Sequence, residues 1–174
     1  MEIITDILKI TLPALLVLLA AWLTLKSMIK DNRNKIRQEL LIQNSKIITP
    51  IRLQAYERIV LFLERISMES LIVRVSSPGM SADQLHSTLL GTIRSEFEHN
   101  LSQQIYMSPQ AWEVVKSARS NMIKTINSEA EKLPTNSTGM ELTRRLFEKI
   151  MELEKEPARA AIDFLKSEVA TVLH

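Results

Sequence analysis

Glu96 and His99 stand three residues apart in EFEHN, a spacing that turns both side chains to one face of a helix. A carboxylate and an imidazole so placed are half of the motif that two helices of a di-iron bundle each supply. The complete set needs a second such pair and two further glutamates on facing helices. The other histidines are His86 and His174, so one chain cannot assemble the second pair. His86 and His99 are separated by about 3.6 turns of a straight helix, too far to share a metal. With 0 cysteines there is no thiolate nucleophile, no disulfide framework and no sulfur-ligated zinc. Serine is plentiful, yet no G-x-S-x-G elbow or phosphate-cradling glycine loop surrounds one. The sequence therefore designates no catalytic, metal-binding or cofactor-binding residue, and the expectation is a protein that is not an enzyme and uses no cofactor.

The charge pattern is equally selective. The net charge of +2 divides unevenly: residues 1–37 hold 6 of the 22 basic and 3 of the 20 acidic side chains. The remainder carries 22 − 6 = 16 basic against 20 − 3 = 17 acidic groups, a net of −1. A nucleic-acid-binding domain needs a basic excess, because phosphate neutralisation dominates its affinity, so no nucleic-acid partner is expected. No small-molecule substrate is evident either. With 3 Gly, 6 Pro and 5% aromatics in 174 residues, the composition suits helices rather than sheets or glycine-looped nucleotide folds.

The elements that carry these residues begin with an uncharged run, ITLPALLVLLAAWLTL, over residues 10–25. A helix needs about 20 apolar residues to cross a hydrocarbon core of roughly 30 Å, so the run suffices only if its apolar flanks contribute. Lys9 and Lys26 can snorkel outward, and Trp22 occupies an interfacial position. Lys26, Lys30, Arg33, Lys35 and Arg37 follow with Asp31 as their one acidic neighbour. By the positive-inside rule that cluster places the N-terminus outside and the C-terminal domain in the cytoplasm; the same cations can also meet anionic headgroups. The expected organisation is a transmembrane anchor over 1–30, a basic stalk helix over 31–49 and a cytoplasmic helical domain over 50–174. In that compartment the glycosylation sequons at Asn100 and Asn136 carry no meaning.

Beyond the anchor the punctuation predicts an all-α bundle of about five amphipathic helices. Thr49-Pro50 reads as a helix start, with the helix running to Ile66. SMESLIVRV is a short helix or an extended piece, and Pro78-Gly79 a turn. Ser81 caps a helix expected to reach Tyr106, striped by Leu85, Leu89, Ile93, Phe97, Leu101 and Ile105. Ser108-Pro109 opens a helix to about Leu133. PTNSTG is a loop, and two last helices run from about Met140 to Glu154 and onward from Pro157.

The IVLFL run of residues 59–63 and the winding stripe imply more apolar helix surface than the domain can bury alone, hence self-association or another membrane-complex subunit. Glu57-Arg58 recurs as Glu64-Arg65 seven residues on, along one helix edge. Such pairs are ordinarily solvated ion pairs worth about 0–1 kcal/mol. As a partner-binding edge they would act with Arg52, and Trp112 is a candidate anchor.

Two segments, ITPIRLQAYERIVLFLERIS and EFEHNLSQQIYMSPQAWEVVKSAR, resemble an uncharacterised family of short, single-pass inner-membrane proteins of Bacteroidota. The resemblance implies a Gram-negative inner membrane and no activity. The expected function is a non-enzymatic, membrane-anchored scaffold or accessory subunit; the alternative is a membrane-tethered adaptor for an inner-membrane protease, transporter or secretion complex. A motor stalk is disfavoured by five prolines from Pro50 onward, since a stalk needs one unbroken helix.

Overall fold

The computed structural model describes the backbone of residues 2–173 and the side chains of residues 15–171 apart from 31 and 34. The described residues are all-helical and form no strand. The helices are α1 (Glu2–Ile66), α2 (Met68–Val75), α3 (Ala82–Asn100), α4 (Pro109–Glu131), α5 (Gly139–Glu152) and α6 (Pro157–Leu173), with a 3-10 segment over Leu101–Ile105. The chain divides into two compact units, Met1–Thr49 and Pro50–His174.

The first unit holds only the part of α1 up to Thr49. Among the described residues no helix is long and apolar enough to cross a membrane, so the transmembrane helix expected from the run at 10–25 is not supported. Residues 15–25, the described part of that run, span roughly 16 Å at 1.5 Å per residue, about half of a hydrocarbon core. The side chains of residues 10–14 lie outside the described residues. Thr49-Pro50 does not open a new helix either, because α1 continues through it to Ile66. Proline fits helical φ and removes a single backbone donor, a local loss the surrounding turns tolerate.

The second unit is a bundle. Residues 51–66 of α1 send Tyr56, Ile59, Phe62, Leu63 and Ile66 into a core completed by α2 to α6. In this unit α4 lies against α6, α3 against α4 and α5, and α2 against α3 and α5. At the aromatic centre Phe97 sits 5.9 Å from Phe62 and stacks on Trp112 at 5.5 Å. The Arg119 guanidinium covers the Phe97 ring at 4.2 Å, where ring quadrupole and cation attract.

Local signals fix the helix starts. Ser81 and Thr138 each form a capping box, with Gln84 and Glu141 at the third helical position; each box satisfies two backbone donors that would otherwise be orphaned. Ser108 caps α4 through the Ala111 N–H, with Pro109 in the first turn. Gly79 turns the chain at φ +83°. The starts of α3 and α5 are tied together by Ala82 N–H donating to Ser137 O at 2.9 Å and Gly139 N–H to Met80 O at 2.8 Å. A Cβ on Gly139 would lie 3.0 Å from that Met80 oxygen, so a side chain there would have to push the carbonyl back by a few tenths of an ångström.

The expected stripe of α3 is shorter than its spacing suggests. Leu85, Leu89, Ile93 and Phe97 are buried, but Leu101 is 42% and Ile105 75% exposed. The α-helix ends at Asn100, and the tighter 3-10 winding that follows rotates the last two positions off the buried face.

Candidate functional site

In the first unit the functional candidates are what α1 leaves uncovered. Leu15 to Leu19, Leu23, Leu25, Met28 and Ile29 are each more than half exposed. The basic side chains Lys26, Lys30, Arg33, Lys35 and Arg37 follow, all exposed. Lys26 folds back so that its ammonium lies 4.8 Å from the Trp22 ring centroid. Past the basic cluster the apolar side chains continue: Leu40, Leu41, Ile42, Ile47 and Ile48 are between 52% and 64% exposed.

In the second unit the proposed edge of α1 divides by what each residue touches. Arg52 donates from Nε to the Tyr106 carbonyl at 3.3 Å. Glu64 pairs with Arg159 of α6 at 3.3 Å. Arg65 grips the Glu96 carboxylate through Nη2 at 2.6 Å and Nε at 2.9 Å, and Arg74 approaches the same oxygen at 3.3 Å. Arg52, Glu64 and Arg65 thus tie the bundle together, while Glu57 and Arg58 remain exposed on the helix surface. Trp112 is 8% exposed and stacked on Phe97; in this unit it is a core side chain, so an anchoring role for it would require the core to open.

Glu96 and His99 do not act as a pair. The Glu96 carboxylate is held between two arginines, and His99 is exposed. His86 bridges helices through Nε2 and Asn127 Oδ1 at 2.8 Å, and His174 lies outside the described residues. Among the described residues no three His, Asp or Glu side chains gather in a way that could hold a metal ion.

Three features escaped the sequence reading. Tyr56 donates its hydroxyl to Glu168 Oε1 at 2.9 Å and accepts the Ser108 N–H at 3.4 Å, joining α1, α4 and α6 through one side chain. Beside it a shallow groove of about 310 Å³ is lined by Leu53, Tyr56, Val60, Leu165 and Val169, with Glu57 and Lys166 at its rim. The signal for the groove was present as apolar residues at positions 53, 56 and 60 of one helix, but not which helix would face them. Glu129 is also buried, at 4% exposure, its carboxylate accepting from Lys132 Nζ at 2.6 Å. A buried carboxylate with one cation is favourable only while that partner stays.

A model of a family of unknown function, DUF7935, matches residues 2–172, nearly the whole chain. Membership of an uncharacterised family is thereby shown; the match gives neither a bacterial source nor membrane attachment. No curated protein and no solved structure matches significantly.

Proposed function

We propose that this chain, which belongs to the DUF7935 family of unknown function, is a non-enzymatic, membrane-anchored helical scaffold or accessory subunit that works through protein–protein contacts. The observation that carries this reading is the distribution of uncovered aliphatic surface. The bundle buries Ile59, Leu63, Leu89, Ile93 and Leu146 completely at 0% exposure, whereas Leu18, Leu25, Leu40 and Ile47 of α1 are 54–70% exposed. Aliphatic side chains gain about 25 cal/mol for each Å² removed from water, so such a face favours a lipid or protein cover.

On this reading the segment at 10–25 enters the bilayer with its flanking turns, Trp22 at the interface, and Lys26 to Arg37 keep the following domain on the cytoplasmic side of a bacterial inner membrane. The partners are the bilayer and either a second copy or a membrane-complex subunit. The exposed Glu57 and Arg58 beside the apolar groove supply the surface for a second reading, a tethered adaptor with transient contacts. The test is the mass of the full-length chain gently extracted in detergent, by light scattering corrected for the micelle, with identification of co-purifying proteins. A discrete homo-oligomer, or one stoichiometric membrane complex, is the expected result. A water-extractable monomer without partners would overturn the proposal.

A further inference from the structure

We infer that a second copy of this chain packs on one face of α1, the face marked by Leu18, Leu25, Ile29, Ile36, Leu40 and Ile47, to form a parallel, in-register helix pair. The inference rests on the scaffold reading above and assigns its contact. These six positions are separated alternately by seven and four residues, an eleven-residue repeat. Eleven residues complete three turns of a straight helix with about 20° to spare, so the six side chains stay within an arc of about 60°. That period, about 3.67 residues per turn, supports a nearly straight pair with slight right-handed winding. All six are open, from 49% exposed at Ile36 to 70% at Leu18.

Lipid can account for the cover of Leu18, Leu25 and Ile29, but not for that of Ile36, Leu40 and Ile47. The same repeat, in the same phase, continues through the basic cluster to Leu40 and Ile47, where the sequence is polar and water would meet it. A stripe that ignores that change of environment is set by something that accompanies the helix on both sides of it.

The polar residues on this face say what accompanies it. Asn32 and Gln43 are also eleven apart, both exposed, and line one edge of the arc, Gln43 on it and Asn32 about 20° beyond; Asn32 borders one shallow groove with Leu25 and Ile29. A carboxamide carries donor and acceptor together, so it satisfies an identical amide across a two-fold axis, whereas an apolar partner would leave it unpaired at a cost. Buried amides at such seams fix register. Glu39 flanks the stripe on one side and Arg37 on the other, so a parallel two-fold brings Glu39 of one copy beside Arg37 of the next, offset by about 3 Å along the axis. Parallel orientation follows from both copies entering one bilayer by the same end.

The absence of cysteine makes the test direct. Single substitutions Ile36→Cys, Leu40→Cys and Ile47→Cys place a thiol on the stripe, and Gln38→Cys and Ser45→Cys place one on the opposite face. Each full-length variant is oxidised mildly in detergent and its covalent dimer measured. Disulfides require Cα atoms about 4.4–6.8 Å apart, so the stripe positions should yield at least about tenfold more dimer than the back positions. Equal yields on both faces would overturn the inference, and dimer at only one stripe position would show an antiparallel crossing and overturn it too. Leu40→Glu, on an exposed turn outside the bundle, should lower the light-scattering mass to that of one chain with helicity retained; an unchanged mass would count against the stripe. If the mass stays oligomeric while both faces cross-link equally, this contact fails and the scaffold reading survives. A partnerless monomer sinks both.

Discussion

Leu40 and Leu63 belong to the same helix and the same residue type, yet one is 54% exposed and the other 0%. Around Leu63, helices of the bundle converge and the aliphatic side chain disappears; around Leu40 the described chain supplies nothing. The contrast extends to the charges. Arg65 and Glu64 of the bundle each meet an oppositely charged side chain on another helix, while Arg33, Lys35 and Arg37 are simply exposed. Periodicity fixes which face of a helix is apolar. It does not fix what covers that face: within one element the apolar side chains are buried by the bundle at Leu63 and left exposed at Leu40.

The strongest way to break this contrast is to delete an equivalent apolar side chain in each region. Phe62→Ala, at 1% exposure and in contact with Phe97, should destabilise the bundle by about 3–5 kcal/mol. Leu40→Ala should change bundle stability by no more than about 0.5 kcal/mol. Urea unfolding followed by near-ultraviolet circular dichroism of the aromatic cluster measures both. A large loss from Leu40→Ala would mean the two regions are not energetically separate. Next in size is Gly139→Ala, whose new methyl meets the Met80 carbonyl at 3.0 Å. Because that neighbour is backbone, a cost of about 1–3 kcal/mol is expected from the same unfolding measurement.

What was legible in the sequence follows the same division. Ser81, Ser108 and Thr138 start helices because a side-chain oxygen and the donors it caps lie three residues apart, a relation visible without tertiary structure. The inward stripe from Leu85 to Phe97 was equally local. Its end was not, since the change to 3-10 winding at Leu101 has no strong sequence mark. Thr49-Pro50 carries a start signal that the long helix overrides at the loss of one backbone donor. Among the candidate site residues, the repeat of Glu57-Arg58 at Glu64-Arg65 follows from helical spacing, but only the fold could show that Arg65 reaches Glu96 and Glu64 reaches Arg159. Trp112 looked like an anchor because aromatic residues serve both cores and interfaces; its stacking on Phe97 was set by a contact between helices. The same limit hid the Tyr56 to Glu168 bond, which joins residues far apart in the chain.

A smaller effect separates the ion pairs. Glu96→Gln removes the charge that Arg65 and Arg74 share. With side-chain exposures of 48% and 33% for the two arginines, solvent screens much of the attraction, and a loss of about 1 kcal/mol is the expected scale. The double substitution of Arg58 and Arg65 by alanine should therefore cost stability through Arg65 alone, and any additional loss of partner recovery belongs to Arg58. If Arg58→Ala by itself leaves partner recovery unchanged, the exposed part of the edge is ordinary solvated surface.

The smallest expected effect is a pH dependence at the start of α5. The Glu141 carboxylate accepts the Thr138 backbone N–H at 2.7 Å and its hydroxyl at 3.0 Å. The backbone bond first, then the hydroxyl, holds its pKa below the ordinary 4.5. The folded chain thus binds this proton less readily than the unfolded chain, so the box contributes its stability above pH 4.5 and loses it as pH falls through the lowered folded value. Glu152, paired with Lys149, and Asp163, paired with Lys155, are shifted in the same direction, so acid should loosen the bundle at several exposed sites together. Glu141→Gln keeps the shape and removes the titration. Its stability difference from the parent should be present at neutral pH and shrink toward zero in acid. A difference that persists unchanged there would show that the effect of the substitution does not come from the carboxylate charge.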